Sequence, residues 1–198
     1  MVVPTPSTFD TLFPLEYSHN LIHDSGAIRI RRSVRSEAPR TVSYSSQVNK
    51  KIKVKGGTAD YLQVSPANDL IVGPQSQQSA AVLFTACFWV LTFDVLTPYP
   101  EGGQVVVFQT HDGSHFLHGD ASSSLSLRQG SSEDLQEATS TDDRFFLLYN
   151  DVGDRYSKIK HIHTGLFLSA TYDSVSLVSH SGGFSDHMLF ESYQCSHS

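Results

Sequence analysis

The chain has 198 residues, of which 39% are hydrophobic and 17% charged, with 12 Phe and 8 Tyr; this composition excludes a disordered polypeptide and suits one domain with a full core. The longest apolar stretch, Ala80 to Phe93, is closed by Asp94 and falls short of the roughly twenty residues a spanning helix needs, so it reads as core and not as a membrane insertion. The net charge of −6 conceals an asymmetry. Nine of the fourteen Lys and Arg residues lie between Arg29 and Lys55, where Glu37 is the sole acid, so that stretch is near +8 and the rest near −14.

Residues 1–46 hold Pro4, Pro6, Pro14 and Pro39, much Ser and Thr, and most of the basic cluster. With little sustained periodicity they are expected to form a flexible basic segment, with room for one strand over 27–34. The cluster from Arg29 to Arg35 is either a solvated segment beside an acidic domain or a nuclear or polyanion-binding patch. The opening residues carry Asp10, Glu16 and Asp24 and lack a basic start and an apolar block, so synthesis in the cytoplasm without a signal peptide is expected. Cys87 lies in an apolar run and Cys195 near the C-terminus. No disulfide framework is indicated, and both are expected to be free thiols.

From Lys50 onward short apolar or alternating runs are separated by Gly, Ser, Asn, Asp and Pro, the pattern of many short strands. Twelve strands are predicted: 50–55, 60–64, 69–73, 88–96, 104–109, 114–118, 124–128, 144–149, 155–162, 166–170, 174–179 and 187–193. Asp112-Gly113, between two apolar runs, predicts a hairpin turn. Three pairs of runs resemble one another: Asp60–Val64 with Asp69–Val72, His115–Gly119 with Ser124–Leu127, and Leu166–Ala170 with Val175–Val178. Their aromatics Tyr61, Phe116 and Phe167 recur near every fifty residues, and each second strand ends ten residues after the Leu, as Leu62 to Val72, Leu117 to Leu127 and Leu168 to Val178. A unit of four short strands cannot bury its apolar side alone, so three copies must close on a shared core. The fold expected is all-β, a β-trefoil of twelve strands with a pseudo-threefold repeat, over 47–198; a β-sandwich is the alternative if the recurrence is accidental.

No nucleophile elbow, phosphate-binding loop, dinucleotide fingerprint or paired-Cys motif is present, and no enzymatic activity is expected. Cys87, between Phe84 and Trp89, reads as a small buried hydrophobe and not as a nucleophile. His161 and His163, two apart on a predicted strand, and His111, His115 and His118 around one hairpin could hold Zn²⁺, but their spacing supplies no full ligand set. No metal and no cofactor are expected. Asp142, Asp143, Asp151 and Asp154 read as solvated loop residues at strand ends.

Asp142-Asp-Arg-Phe-Phe-Leu-Leu-Tyr149, Gly165-Leu-Phe-Leu-Ser-Ala170, Val175-Ser-Leu-Val178 and Phe184-Ser-Asp-His-Met-Leu-Phe190 resemble the C-terminal third of interleukin-1 family cytokines. Tyr61-Leu62, Asp69–Gly73, Gly103–Phe108 and Leu125–Arg128 fall in the order of their counterparts, so the resemblance spans about 50–193. It departs from the family pattern at Lys158-Ile-Lys160 and Thr164, where the family places Phe-x-Ser and then Pro. The resemblance implies a leaderless, unconventionally secreted, monomeric cytokine with free cysteines that modulates inflammatory signalling. Its partners would be an interleukin-1 family receptor ectodomain and an accessory receptor, with no nucleic acid. It also implies that residues 1–46 are a pro-segment, cut by a caspase-1-like protease after Asp24 in Leu21-Ile-His-Asp24. In the family an acidic residue just before the last strand favours agonism and a basic one antagonism. Asp186 or His187 falls there, which leans the reading towards an agonist and leaves a receptor antagonist as the alternative.

Other trefoil functions fit less well. A ricin-type lectin would repeat Gln-x-Trp, whereas Trp89 is the one tryptophan, and a fibroblast-growth-factor-like module would carry a basic trefoil, whereas residues 60–198 hold five Lys or Arg. An intracellular scaffold of the fascin type remains as the non-cytokine reading.

Overall fold

The computed structural model describes residues 40–56, 60–74, 86–135, 141–150, 154–172 and 174–195. The chain divides into two units, Met1–Ser33 and Val34–Ser198, and every described residue belongs to the second. Asp24, Arg29–Arg35 and the strand predicted over 27–34 lie outside the described residues, as does Asp151.

Among the described residues twelve strands form. They are β1 Val42–Val54, β2 Asp60–Val64, β3 Leu70–Pro74, β4 Cys87–Val95, β5 Gln104–Thr110, β6 His115–Gly119, β7 Leu125–Gln129, β8 Phe146–Tyr149, β9 Lys158–His161, β10 Phe167–Thr171, β11 Ser174–Val178 and β12 Phe190–Gln194. Six of them close a barrel through the antiparallel pairs β1–β4, β4–β5, β5–β8, β8–β9 and β1–β12. The last seam joins β9 to β12, where the N–H groups of Ser157 and Phe190 donate to each other's carbonyls at 2.7 and 2.9 Å.

The other six strands form three hairpins, β2–β3, β6–β7 and β10–β11. Each is fixed to its barrel strand through the aromatic residue of the sequence repeat: Tyr61 opposite Lys53, Phe116 opposite Gln109 and Phe167 opposite Lys160. This is the β-trefoil, with four strands in each of three copies.

Every barrel strand turns an apolar side chain inward. Ile52, Val90, Phe108, Phe146, Ile159 and Phe190 meet at the centre, and Leu62, Leu117 and Leu168 from the hairpins cap them. The barrel is filled: a void of about 10 Å³ remains at its mouth, room for about one water molecule. A second cluster lies outside the barrel wall. Leu91, Phe93, Val105, Val107, Phe145 and Leu147 alternate with the inward residues of β4, β5 and β8, so β5 is buried on both faces.

One departure from the sequence reading has a local cause. β1 begins at Val42, inside the segment assigned to the flexible N-terminus, because its Ser-rich start pairs with Thr92–Val95 across a bulge between Tyr44 and Ser46. The bulge inverts the alternation, sending Val42 to the outer cluster while Ile52 and Val54 enter the barrel. In the third hairpin β11 ends at Val178 as expected, and Leu168 pairs with Leu177 and Phe167 with Val178, one residue short of the Leu62–Val72 and Leu117–Leu127 pairs of the other two hairpins.

The turns explain the shortened register. Ser65–Asp69 and Asp120–Ser124 are equivalent five-residue turns, each closed by a backbone bond between its first and last residues and each with positive φ at its fourth residue, Asn68 at 62° and Ser123 at 71°. The third turn runs directly from Thr171 to Ser174, which pair with each other, and is one residue shorter.

Candidate functional site

The site begins with burial. Met188 and Leu189 are each 7% exposed and anchor a short 3₁₀ turn, Asp186–Met188, ahead of β12; Phe190, not His187, opens the strand. The turn is closed by the Met188 N–H donating to Ser185 O at 3.0 Å. Asp186 and His187 are left exposed. The Asp186 carboxylate receives Lys55 Nζ at 3.1 Å, and the Lys55 N–H donates to Leu189 O at 2.8 Å. Gly56, at φ +87°, packs against Asp186, and a Cβ there would lie 3.3 Å from the Asp186 Cβ.

Together these loops form a cleft of about 420 Å³. The β1–β2 turn supplies Lys55 and Gly56, Asp60 opens β2, the β10–β11 turn supplies Thr171 and Tyr172, and the 3₁₀ turn supplies Asp186 and His187. Tyr172 is 79% exposed at the rim. The structure thus brings both sequence-derived site residues to one cleft, lined by polar and apolar side chains alike. Sequence reasoning missed Lys55, Asp60 and Tyr172, which lie more than a hundred residues from the turn or in a separate hairpin; no local pattern joins them to it.

The expected free thiols are a disulfide, Cys87–Cys195, with a sequence separation of 108. β1 lies between β4 and β12, with Cys87 opposite Lys51 and Gln194 opposite Lys50. The Cys195 N–H donates to Asn49 O at 3.0 Å, so the bond ties both neighbours of β1 together. Barrel closure creates that proximity, and chain spacing does not reveal it.

The histidines hold separate positions. Trp89 stacks on His111 at 6.1 Å between centroids and donates its indole N–H to His111 O at 3.0 Å. His115 Nδ1 bonds Ser114 at 2.7 Å, and His118 Nδ1 lies 2.8 Å from Asp143 Oδ1. Among the described residues no group of three His, Cys, Asp or Glu is placed to hold a metal.

The carboxylates read as solvated loop residues are structural. Asp142 accepts two bonds from the Arg144 guanidinium at 2.9 and 2.6 Å, and Asp154 accepts from the Tyr156 N–H. The Asp143 carboxylate receives His118 and Arg128. Asp112 accepts from Thr110, and from the Ser114 hydroxyl and N–H; these bonds hold its pKa down to about 2. Gly113, at φ +76°, closes the predicted turn through its N–H to Thr110 O at 2.9 Å.

His161, predicted to share a strand face with His163, ends β9 and is fully buried, whereas His163 lies in the following turn. His161 Nε2–H donates to Asp143 O at 3.0 Å and Nδ1 accepts from Thr164 Oγ1 at 2.9 Å. The Gly119 N–H donates to the same Asp143 carbonyl at 2.9 Å, and a Cβ on Gly119 would meet the His161 ring at 3.0 Å. Burial holds the His161 pKa below its ordinary value of 6.5, outweighing the opposite pull of the Asp143 carbonyl.

Well above pH 6.5 both folded and unfolded His161 are neutral and the full stability is present. As pH falls below 6.5 the unfolded chain takes the proton first and stability declines, by up to about 1.4 kcal/mol per pH unit. Urea unfolding from pH 7 to pH 5 should therefore show a slope that is smaller by one proton in His161→Gln; equal slopes would contradict this assignment.

Comparison with protein-family models gives no match, and comparison with curated proteins gives none. Among solved structures, the designed threefold-symmetric protein ThreeFoil superposes with a TM-score of 0.50 at 14% identity, covering 74% of this chain and 99% of that one. A structure titled BEL beta-trefoil superposes with a TM-score of 0.46 at 10% identity, covering 75% and 93%. The protein is an all-β protein of the β-trefoil fold.

Proposed function

We propose that this trefoil is an interleukin-1-like secreted cytokine whose rigid barrel presents the Asp186 cleft to an immunoglobulin-like receptor. The observation that carries the reading is the 3₁₀ turn itself. An exposed acid stands four residues before the last strand, held by Lys55 and Gly56 and flanked by an exposed Tyr172, at the place where the resembled family sets its signalling response. Loops on a rigid scaffold, with an aromatic anchor beside fixed charge, suit protein recognition. The Cys87–Cys195 disulfide departs from the free cysteines that the resemblance implies, but it fits an oxidising, extracellular setting and weighs against the intracellular scaffold.

A second reading, receptor antagonist, draws on Lys55, which sets a cation against Asp186 and offsets its charge. A reporter assay on cells bearing interleukin-1 family receptors separates the two. An agonist activates alone, and Asp186→Lys lowers its potency about tenfold or more; an antagonist only blocks a known agonist. Neither activation nor block by the wild type would remove the cytokine reading.

A further inference from the structure

Among the described residues a group of cations has no acidic partner in contact. Lys55, Arg128, Arg144, Arg155 and Lys160 pair with Asp186, Asp143, Asp142, Glu191 and Glu101 respectively. Arg40 donates to the carbonyls of Thr97 and Pro98, and Lys158 is buried beneath Phe184. Among the described residues, the lysines that enter no ion pair are Lys50, Lys51 and Lys53, all on β1. In a chain with 20 Asp and Glu and a net charge of −6, that concentration of positive charge on one strand calls for an anion from outside.

Strand geometry arranges the charge as a row. Lys51 and Lys53 stand two residues apart on the outer face, about 7 Å along the strand, opposite Tyr193 and Glu191 of β12. Lys55 continues the alternation. Glu191, directly opposite Lys53 across the sheet, is already held by Arg155 and acts on Lys53 only through space. By sequence, β1 is preceded by Arg29, Arg31, Arg32, Arg35 and Arg40.

We propose that the outer face of β1 docks a linear sulfated polysaccharide, with Lys51 and Lys53 as its principal cations. A row of cations at regular spacing matches the repeating charge of such a chain. The oxidised Cys87–Cys195 pair, with Cys87 directly opposite Lys51, sets this face in a disulfide-permissive compartment, where sulfated polysaccharide and not nucleic acid is the polyanion at hand. The row meets the Asp186 cleft at Lys55, which Asp186 holds; Lys51 and Lys53 lie outside that cleft, and the proposal does not depend on the receptor reading.

The test is titration of the full-length oxidised chain with a heparin oligosaccharide by calorimetry across a salt series, with a single-stranded oligonucleotide of equal charge in parallel. The expected result is salt-dependent heparin binding at about 0.15 M salt that exceeds oligonucleotide binding. Lys51→Ser/Lys53→Ser should weaken it about tenfold or more and lower the log–log salt slope by about 2. Thermal unfolding of that variant, expected within about 2 °C of wild type, shows that the fold is kept. No binding by the wild type, equal binding of the oligonucleotide, or binding lost in Arg31→Ser/Arg32→Ser but kept in the β1 variant would each overturn the proposal.

Discussion

Reduction of Cys87–Cys195, or the pair Cys87→Ser/Cys195→Ser, should lower stability by about 4 to 5 kcal/mol. The bond closes a loop of 108 residues, and a cross-link over roughly a hundred residues removes about that much chain entropy from the unfolded state. For a domain of this size the loss corresponds to a Tm lower by roughly 10 to 15 °C. Calorimetric unfolding of the wild type with and without reductant, beside the double variant, measures it. The reduced wild type and the variant should agree, because Cys195 is buried and its backbone N–H bonds Asn49 whichever side chain it carries. A Tm unchanged by reduction would mean that the bond does not constrain the trefoil.

The second large effect is expected at Phe146. Its ring is fully buried at the barrel centre, 5.6 Å from Phe108 and 5.1 Å from His161 between centroids. Phe146→Ala removes most of a ring from a barrel with almost no internal void, and neighbouring strands held by the closed ladder cannot collapse into the space. The loss should be about 4 kcal/mol, read as a lower urea midpoint with an unchanged m-value. Phe146→Leu, which keeps most of the volume, should lose about 1 to 1.5 kcal/mol and guards against a variant too unstable to measure. A loss below about 1 kcal/mol for the alanine variant would show that the barrel centre relaxes, contrary to a core shared by all three repeats.

The parts of the fold legible in sequence are those with local causes. Apolar runs bounded by Gly, Ser, Asn and Asp marked the strands, and the recurrence of Tyr61, Phe116 and Phe167 marked the three hairpins, because the same side chain must meet its barrel strand in each copy. The Asp112-Gly113 turn was legible because only its own residues decide it. What was hidden depends on closure. The Ser-rich start of β1 has no apolar pattern and becomes a strand only because β4 is beside it. The disulfide, the Asp143 carbonyl shared by Gly119 and His161, and the Lys55–Asp186 pair all join residues from distant strands.

The candidate site was legible only in part, for the same reason. Asp186 and His187 could be placed from the family-like C-terminal pattern, yet the cleft that gives them a context is built by loops from three separate places in the chain. The burial of Met188 and Leu189 that turns Asp186 outward is a consequence of barrel packing.

Receptor recognition by that cleft is most directly measured by surface plasmon resonance of the full-length oxidised chain over a panel of interleukin-1 family receptor ectodomains, with Asp186→Lys and Tyr172→Ala beside the wild type. Binding to at least one ectodomain is expected, weakened about tenfold or more by each substitution. Absence of binding to every ectodomain, or binding that neither substitution alters, would contradict a cytokine that signals through the Asp186 cleft.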